Sequence, residues 1–161
     1  VHIDAPDGAE VPLPAHVSAA LASRGVDAPN NAARRAVVAA FDPDVTRREG
    51  ARNAVAAASE TGPVGVCSNC SVPELARRTL IRADLQDAFD AIVTSVGCGW
   101  RKPDRRAFET VARRLDTTAE SLVHVGDDPA TDGGIEATGG CFLDVNEMSL
   151  SKLESRLEER P

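Results

Sequence analysis

Over roughly the first sixty positions, apolar residues recur at helical intervals. Leu13, Val17 and Leu21 share one face before Gly25, and after Asn30-Asn31, read as a cap, Ala33, Val37 and Phe41 repeat the spacing. A third helix is predicted over residues 45–59, stopped by Gly62-Pro63. Beyond Pro63 the pattern changes. Short apolar runs at 64–67, 91–95, 121–125 and 141–145 alternate with amphipathic stretches at 72–83, 103–115 and 129–138, and a last one carries Leu150, Leu153 and Leu157. In the 103–115 stretch, Phe108, Val111 and Leu115 fall on one helix face. Strands in alternation with helices specify βαβ units, so the fold class is α/β, a parallel sheet flanked by helices. The chain divides into a helical segment, 1–61, and an α/β core, 62–161. There is no internal repeat.

Composition supports a folded domain with a small-residue core. Of 161 residues, 42% are hydrophobic but only 3% aromatic and none is Tyr, so Ala, Val and Leu must fill the interior. The formal net charge of −7 excludes the basic stripe that a nucleic acid or an anionic membrane would require. No run of about 18 apolar residues and no signal-peptide pattern occurs, which gives the expectation of a soluble, cytoplasmic protein. Arg outnumbers Lys 16 to 2, a bias of the kind a GC-rich genome produces. Four cysteines are few for a disulfide framework. Cys67-Ser-Asn-Cys70 has the spacing of a redox motif or half a zinc site, but Cys98 and Cys141 supply no second close pair.

Polar groups with chemical potential stand at three strand ends. The run 64–67 ends in Ser68-Asn69, where a hydroxyl and loop N–H groups could hold an anion; a plain turn is the simpler reading of those two residues. Lys102, one of two lysines, precedes the helix bearing Phe108, and its compact ammonium can contact a carboxylate and a phosphoryl oxygen together. The run 121–125 ends in Gly126-Asp127-Asp128, with Asp132 close behind. Adjacent carboxylates repel, so a hard divalent cation such as Mg²⁺ suits them; the alternative is an acidic turn capping the next helix.

Taken in order, Ser68, Lys102 and Asp127-Asp128 with Asp132 resemble the second, third and fourth motifs of the haloacid dehalogenase-like (HAD) hydrolase superfamily, and the resemblance spans roughly residues 62–145. It implies a Rossmann-like (HAD-like) sheet with residues 1–61 as part of a cap. It implies also a Mg²⁺-dependent phosphatase acting on a small phosphorylated metabolite through an aspartyl-phosphate. By that likeness Ser68 and Asn69 would bind the phosphoryl group, Lys102 would screen its charge, Asp127 and Asp128 would hold the metal, and Asp132 would support the site by hydrogen bonding. A 2-haloacid dehalogenase is the alternative within the superfamily, disfavoured because Gly-Asp-Asp replaces its Ser-Asn-x-x-Asp. An inactive HAD-like or receiver-like binding module is the alternative outside catalysis, and receiver domains carry their acids before, not after, the lysine. The family's Gly-Ala after the last acid is here Ile135-Glu136.

The family's first motif, a strand ending in Asp-x-Asp-x-Thr that supplies the nucleophile, has no counterpart. In Asp4-Ala-Pro-Asp7 the acids are three apart, with only Val1-His2-Ile3 before them as strand, and Asp42-Pro-Asp44 lies between helical patterns. In the family that strand runs between those bearing motifs two and four. Its absence predicts an N-terminally incomplete chain, unpaired backbone groups in mid-sheet, a cleft in the core and little turnover.

Overall fold

The computed structural model describes residues 3–29 and 31–158; Asn30 of the expected cap and Val1-His2 lie outside them. Helix α1 (Leu13–Ala22) starts at Pro12 with a second proline in its first turn, where a missing N–H costs nothing, and stops before Gly25. Helix α2 (Ala32–Ala40) buries Ala33 and Val37 as predicted. It ends before Phe41, which is 41% exposed and leaves the buried stripe. Helix α3 (Ala51–Thr61) is shorter than the predicted 45–59 at its start. Gly50 in a left-handed conformation opens the helix, and carbonyls upstream of it are taken by arginines of another element instead of a helical turn.

The α/β part follows the predicted order. Strand β1 (Gly65–Ser68) is followed by α4 (Leu75–Arg82), β2 (Ala91–Thr94) and a single turn, α5 (Ser95–Cys98). Helix α6 (Arg105–Arg114), β3 (Val123–Gly126), the short α7 (Pro129–Asp132) extended by a 3₁₀ stretch, β4 (Cys141–Asp144) and α8 (Leu153–Glu158) complete it. Asp104 caps α6 by accepting from the Arg106 N–H at 2.9 Å, and Arg113 and Arg114 complement its C-terminal end. The face of α6 carrying Ala107, Phe108, Val111 and Ala112 is buried. Val111 and Leu115 pack with Val93 of β2, and Gly65 lets β1 come so near that a Cβ there would sit 3.1 Å from each.

The sheet is in two halves. Gly65 pairs with Ala91 through Ser68 with Thr94, and Val123 pairs with Cys141 through Gly126 with Asp144, both parallel. Among the described residues no strand joins β1 to β3. Between them lies a cleft of about 730 Å³, walled by Gly65–Cys67 on one side and Val123–Gly126 on the other. The interruption falls where the resemblance places a strand that the described residues do not supply.

Around the halves, α1 packs on α2, and α3, counted with residues 1–61 in the sequence division, packs on α8 and lines the cleft. No helix among the described residues is long and apolar enough to cross a membrane.

Candidate active site

The end of β1 is tied to the Lys102 backbone and the end of β3 to the Asp132 carboxylate, and these two residues are themselves paired. Asn69, one residue past β1, donates through Nδ2 to the Lys102 carbonyl at 2.9 Å and accepts at Oδ1 from the Lys102 N–H at 2.8 Å. This two-point clamp fixes the lysine's backbone, so the Asn69 amide faces the loop of Lys102. The Lys102 Nζ reaches Asp132 Oδ1 at 2.5 Å, and both side chains are almost fully buried, 10% and 5% exposed. Past β3, the N–H groups of Asp127 and Asp128 both donate to Asp132 Oδ2 at 3.1 Å. Gly126 makes the approach possible, because a Cβ there would collide with the Asp132 carboxylate. Gly134 serves the same end behind the site, where a Cβ would come within 2.5 Å of Pro103, the residue joined to Lys102 by a cis peptide.

His124 belongs to this cluster, though its single polar side chain within an apolar strand was the only signal in the sequence. Its Nε2 lies 2.9 Å from Asp132 Oδ1 and 3.4 Å from Lys102 Nζ, and its ring meets Phe108 edge-on at 5.3 Å. Burial pushes its pKa down and the Lys102 charge adds to that, against the opposing hydrogen bond with Asp132. The neutral ring therefore carries its proton on Nε2 and donates to Asp132. Burial by itself would raise the Asp132 pKa, but hydrogen bonds from Lys102, His124 and the Asp128 N–H overcome it and hold the carboxyl at about 2. Two acid-sensitive steps follow. His124 is more readily protonated when unfolded, so stability is lost as pH falls below about 6.5; Asp132 contributes stability present above about 3.8 and lost toward 2. Melting temperature recorded from pH 8 to pH 2 is expected to show both falls, and His124→Gln to remove only the upper one.

The two adjacent acids separate. Asp127 lines the cleft at its polar end, together with Lys102, His124 and Asp132. Asp128 is turned outward as the cap of α7, its Oδ1 accepting from the Ala130 N–H and its Oδ2 from the Thr131 hydroxyl. Among the described residues, no three His, Cys, Asp or Glu side chains gather into a metal cluster. Asp127 alone still fits Mg²⁺, which accepts one or two protein carboxylates and completes its shell with water and phosphate oxygens. Ser68 stands half-buried at the end of β1.

Other candidate acids lie elsewhere. Asp42 is paired with Arg82 and, at 3.9 Å, with Arg78; the Arg82 hydrogen bond and charge hold its pKa low. Neither it nor Asp4 is among the residues lining the cleft. Cys67 and Cys70 are free thiols; burial raises the Cys67 pKa to about 11, the opposite of a reactive redox cysteine.

The sequence profile of the haloacid dehalogenase-like hydrolases matches residues 12–134. With that match over most of its length, the chain belongs to the haloacid dehalogenase-like hydrolases. Similar solved structures include a HAD phosphatase from Thermococcus onnurineus, with a TM-score of 0.63 and 19% identity over 85% of this chain and 68% of that one. Another is the HAD-hydrolase YfnB from Bacillus subtilis bound to magnesium, with a TM-score of 0.59 and 21% identity over 86% of this chain and 63% of that one. Both share the fold, and this chain spans about two thirds of their length. No curated protein matches significantly.

Proposed function

We propose that this chain carries the phosphate-handling half of a Mg²⁺-dependent hydrolase of small phosphate monoesters. The observation that carries the reading is the convergence of Lys102, Asp132 and Asp127 at the end of the cleft where β1 and β3 both stop. Phosphoryl transfer is served mainly by positioning and by charge stabilisation, and this cluster offers both. In this reading the Ser68 hydroxyl and the Asn69 N–H receive the phosphoryl oxygens. Lys102 presents its ammonium to the same oxygens, aimed by the Asn69 clamp and by Asp132. Asp127 would hold Mg²⁺, which when bound would neutralise phosphoryl charge. Asp128, which the resemblance implies as its partner ligand, caps α7, and in this reading it sets the loop that presents Asp127. The segment 1–61 is proposed to include a lid, since the Leu13 N–H at the start of α1 bonds the Ser71 carbonyl three residues beyond Ser68.

The attacking carboxylate is proposed to come from a segment other than those lining the cleft here, because the carboxylates in it are Asp127 and Asp132, both given other tasks. The chain alone is therefore expected to bind inorganic phosphate without turning over p-nitrophenyl phosphate in Mg²⁺. Lys102→Met is expected to weaken phosphate about 10-fold or more, the loss of one charge-assisted hydrogen bond. Calorimetry and an aryl-phosphate assay check both. Turnover abolished by Asp4→Asn or Asp42→Asn would move the nucleophile into this chain, and phosphate binding indifferent to Lys102 would remove the reading altogether.

A further inference from the structure

Another carboxylate is buried away from the cleft. Glu10 sits in the irregular segment before α1, yet its side chain is only 2% exposed. Burying a carboxylate is costly unless donors meet it. Two converge on its Oε2: the Arg101 guanidinium at 2.7 Å and the hydroxyl of Ser95, a side chain as deeply buried as its own. A hydroxyl has one proton and a carboxylate only accepts, so the Ser95 proton points to Glu10. A lone pair is left for the Cys70 N–H, which donates to it at 2.8 Å. The Cys70 carbonyl accepts from Val96 at 3.2 Å, so both backbone groups of Cys70 are held by the α5 turn.

Cys70 directly follows Asn69, and Arg101 directly precedes Lys102. One carboxylate thus bears on both of the loops that the Asn69 amide clamps together. Its charge is matched by Arg101, so the loops gain order without a net negative charge that would repel an anion. The backbone alone delivers Glu10 to this place. Gly8, at φ +77°, passes so close to Asp104 that a Cβ would lie 2.3 Å from its carboxylate. The Gly8 carbonyl accepts from the Arg101 N–H and the Glu10 N–H donates to the Gly99 carbonyl, both at 2.8 Å, while the Leu13 N–H reaches the Ser71 carbonyl at 2.9 Å. None of these bonds uses the Glu10 side chain, so truncating it should leave the segment seated.

We propose that Glu10 is a positioning residue for phosphate binding. Through Ser95 it fixes the Cys70 N–H, and with it the loop that presents Ser68 and Asn69; through Arg101 it steadies the backbone of Lys102. Glu10 itself touches neither phosphate nor metal. The inference rests on the proposed reading of these two loops as the phosphate-binding ones, and it adds to that reading a control point on the segment leading into α1.

Amide hydrogen exchange and calorimetry with inorganic phosphate, both on the 161-residue chain, test the proposal. In Glu10→Ala the Cys70 N–H is expected to exchange about 10-fold faster, while the N–H groups of Asp127 and Asp128, held by Asp132, keep their rates. Phosphate affinity is expected to fall about 5-fold, the order of one hydrogen bond. Ser95→Ala is expected to reproduce both changes, and it carries the test should Glu10→Ala not fold. The double variant is expected to add little, since the two side chains act in series. Glu10→Gln keeps an acceptor for the Ser95 hydroxyl and is expected to retain most of the Cys70 protection. Equal acceleration at Cys70, Asp127 and Asp128 would show a general loosening and overturn the proposal. So would unchanged exchange at Cys70, or phosphate affinity that survives Glu10→Ala and Ser95→Ala but not Lys102→Met. Failure of the unsubstituted chain to bind phosphate would instead sink the proposed function, and with it the role given to Glu10, whatever the exchange at Cys70.

Discussion

Asp132→Ala is expected to destabilise the fold by about 3–5 kcal/mol, the range for removing one partner of a buried ion pair. The carboxylate answers four donors at once: the Lys102 ammonium, the His124 ring and the N–H groups of Asp127 and Asp128. Its loss strands a buried ammonium and releases the turn after β3, so the structural cost exceeds that of any single hydrogen bond. Urea denaturation measures it. Asp132→Asn, which keeps an acceptor for the two N–H groups, is expected to lose less. The double variant Lys102→Met with Asp132→Leu is expected to be more stable than the sum of its parts, because no charge is left unpaired. A loss below about 1 kcal/mol for Asp132→Ala would mean that water enters the cluster freely and that the lysine is not held in the place the proposed function assigns to it.

Phe108→Ala is expected to cost a similar amount, about 3–5 kcal/mol, through lost burial and the cavity left behind. Phe108 is fully buried on α6 in a protein with four phenylalanines and one tryptophan, so small residues have little means of closing the gap. Its ring edge also fixes His124. Removing it is expected to admit water and bring the His124 pKa back up toward its ordinary value, a change readable by NMR titration of the imidazole. Stability loss without movement of that titration would separate packing from the electrostatics of the cluster.

The order of strands and helices was legible because each carries its own period: alternating or continuous apolar runs at 65–68, 91–94, 123–126 and 141–144, and helical spacing at 13–22 and 105–114. Residues 45–50 misled because Val45 and the residues after it fit a helical stripe, whereas the chain stays irregular there and Gly50, in a left-handed conformation, delays the helix to Ala51. At the site, chemical type was visible in Lys102, Asp127 and Asp132, but orientation was not. Nothing in the spacing separates an acid that lines the cleft from one that caps a helix, so the outward turn of Asp128 emerges only from its bonds to Ala130 and Thr131. The same holds for Asn69, whose amide serves the Lys102 backbone, and for His124, whose role depends on a face shared with Gly126. The cleft followed from the family resemblance and not from the hydrophobic pattern, since four apolar runs alone do not say which neighbours in the sheet are separated.

The preference for arginine over lysine gains a mechanical meaning from α4. Arg78 reaches the carbonyls of Val38 and Phe41, and Arg82 reaches that of Pro43 while pairing with Asp42. From across the gap, Arg47 returns to the Ala83 carbonyl and Arg52 to that of Asp84. These guanidinium groups rivet an irregular stretch of main chain to the α/β core, largely through dipoles that salt does not compete for as it competes for carboxylates. A lysine, with one nitrogen, could not span the same oxygens. The seam between the helical segment and the core should therefore hold at ionic strengths that dissolve ordinary surface ion pairs, whatever bias in the genome first supplied the arginines.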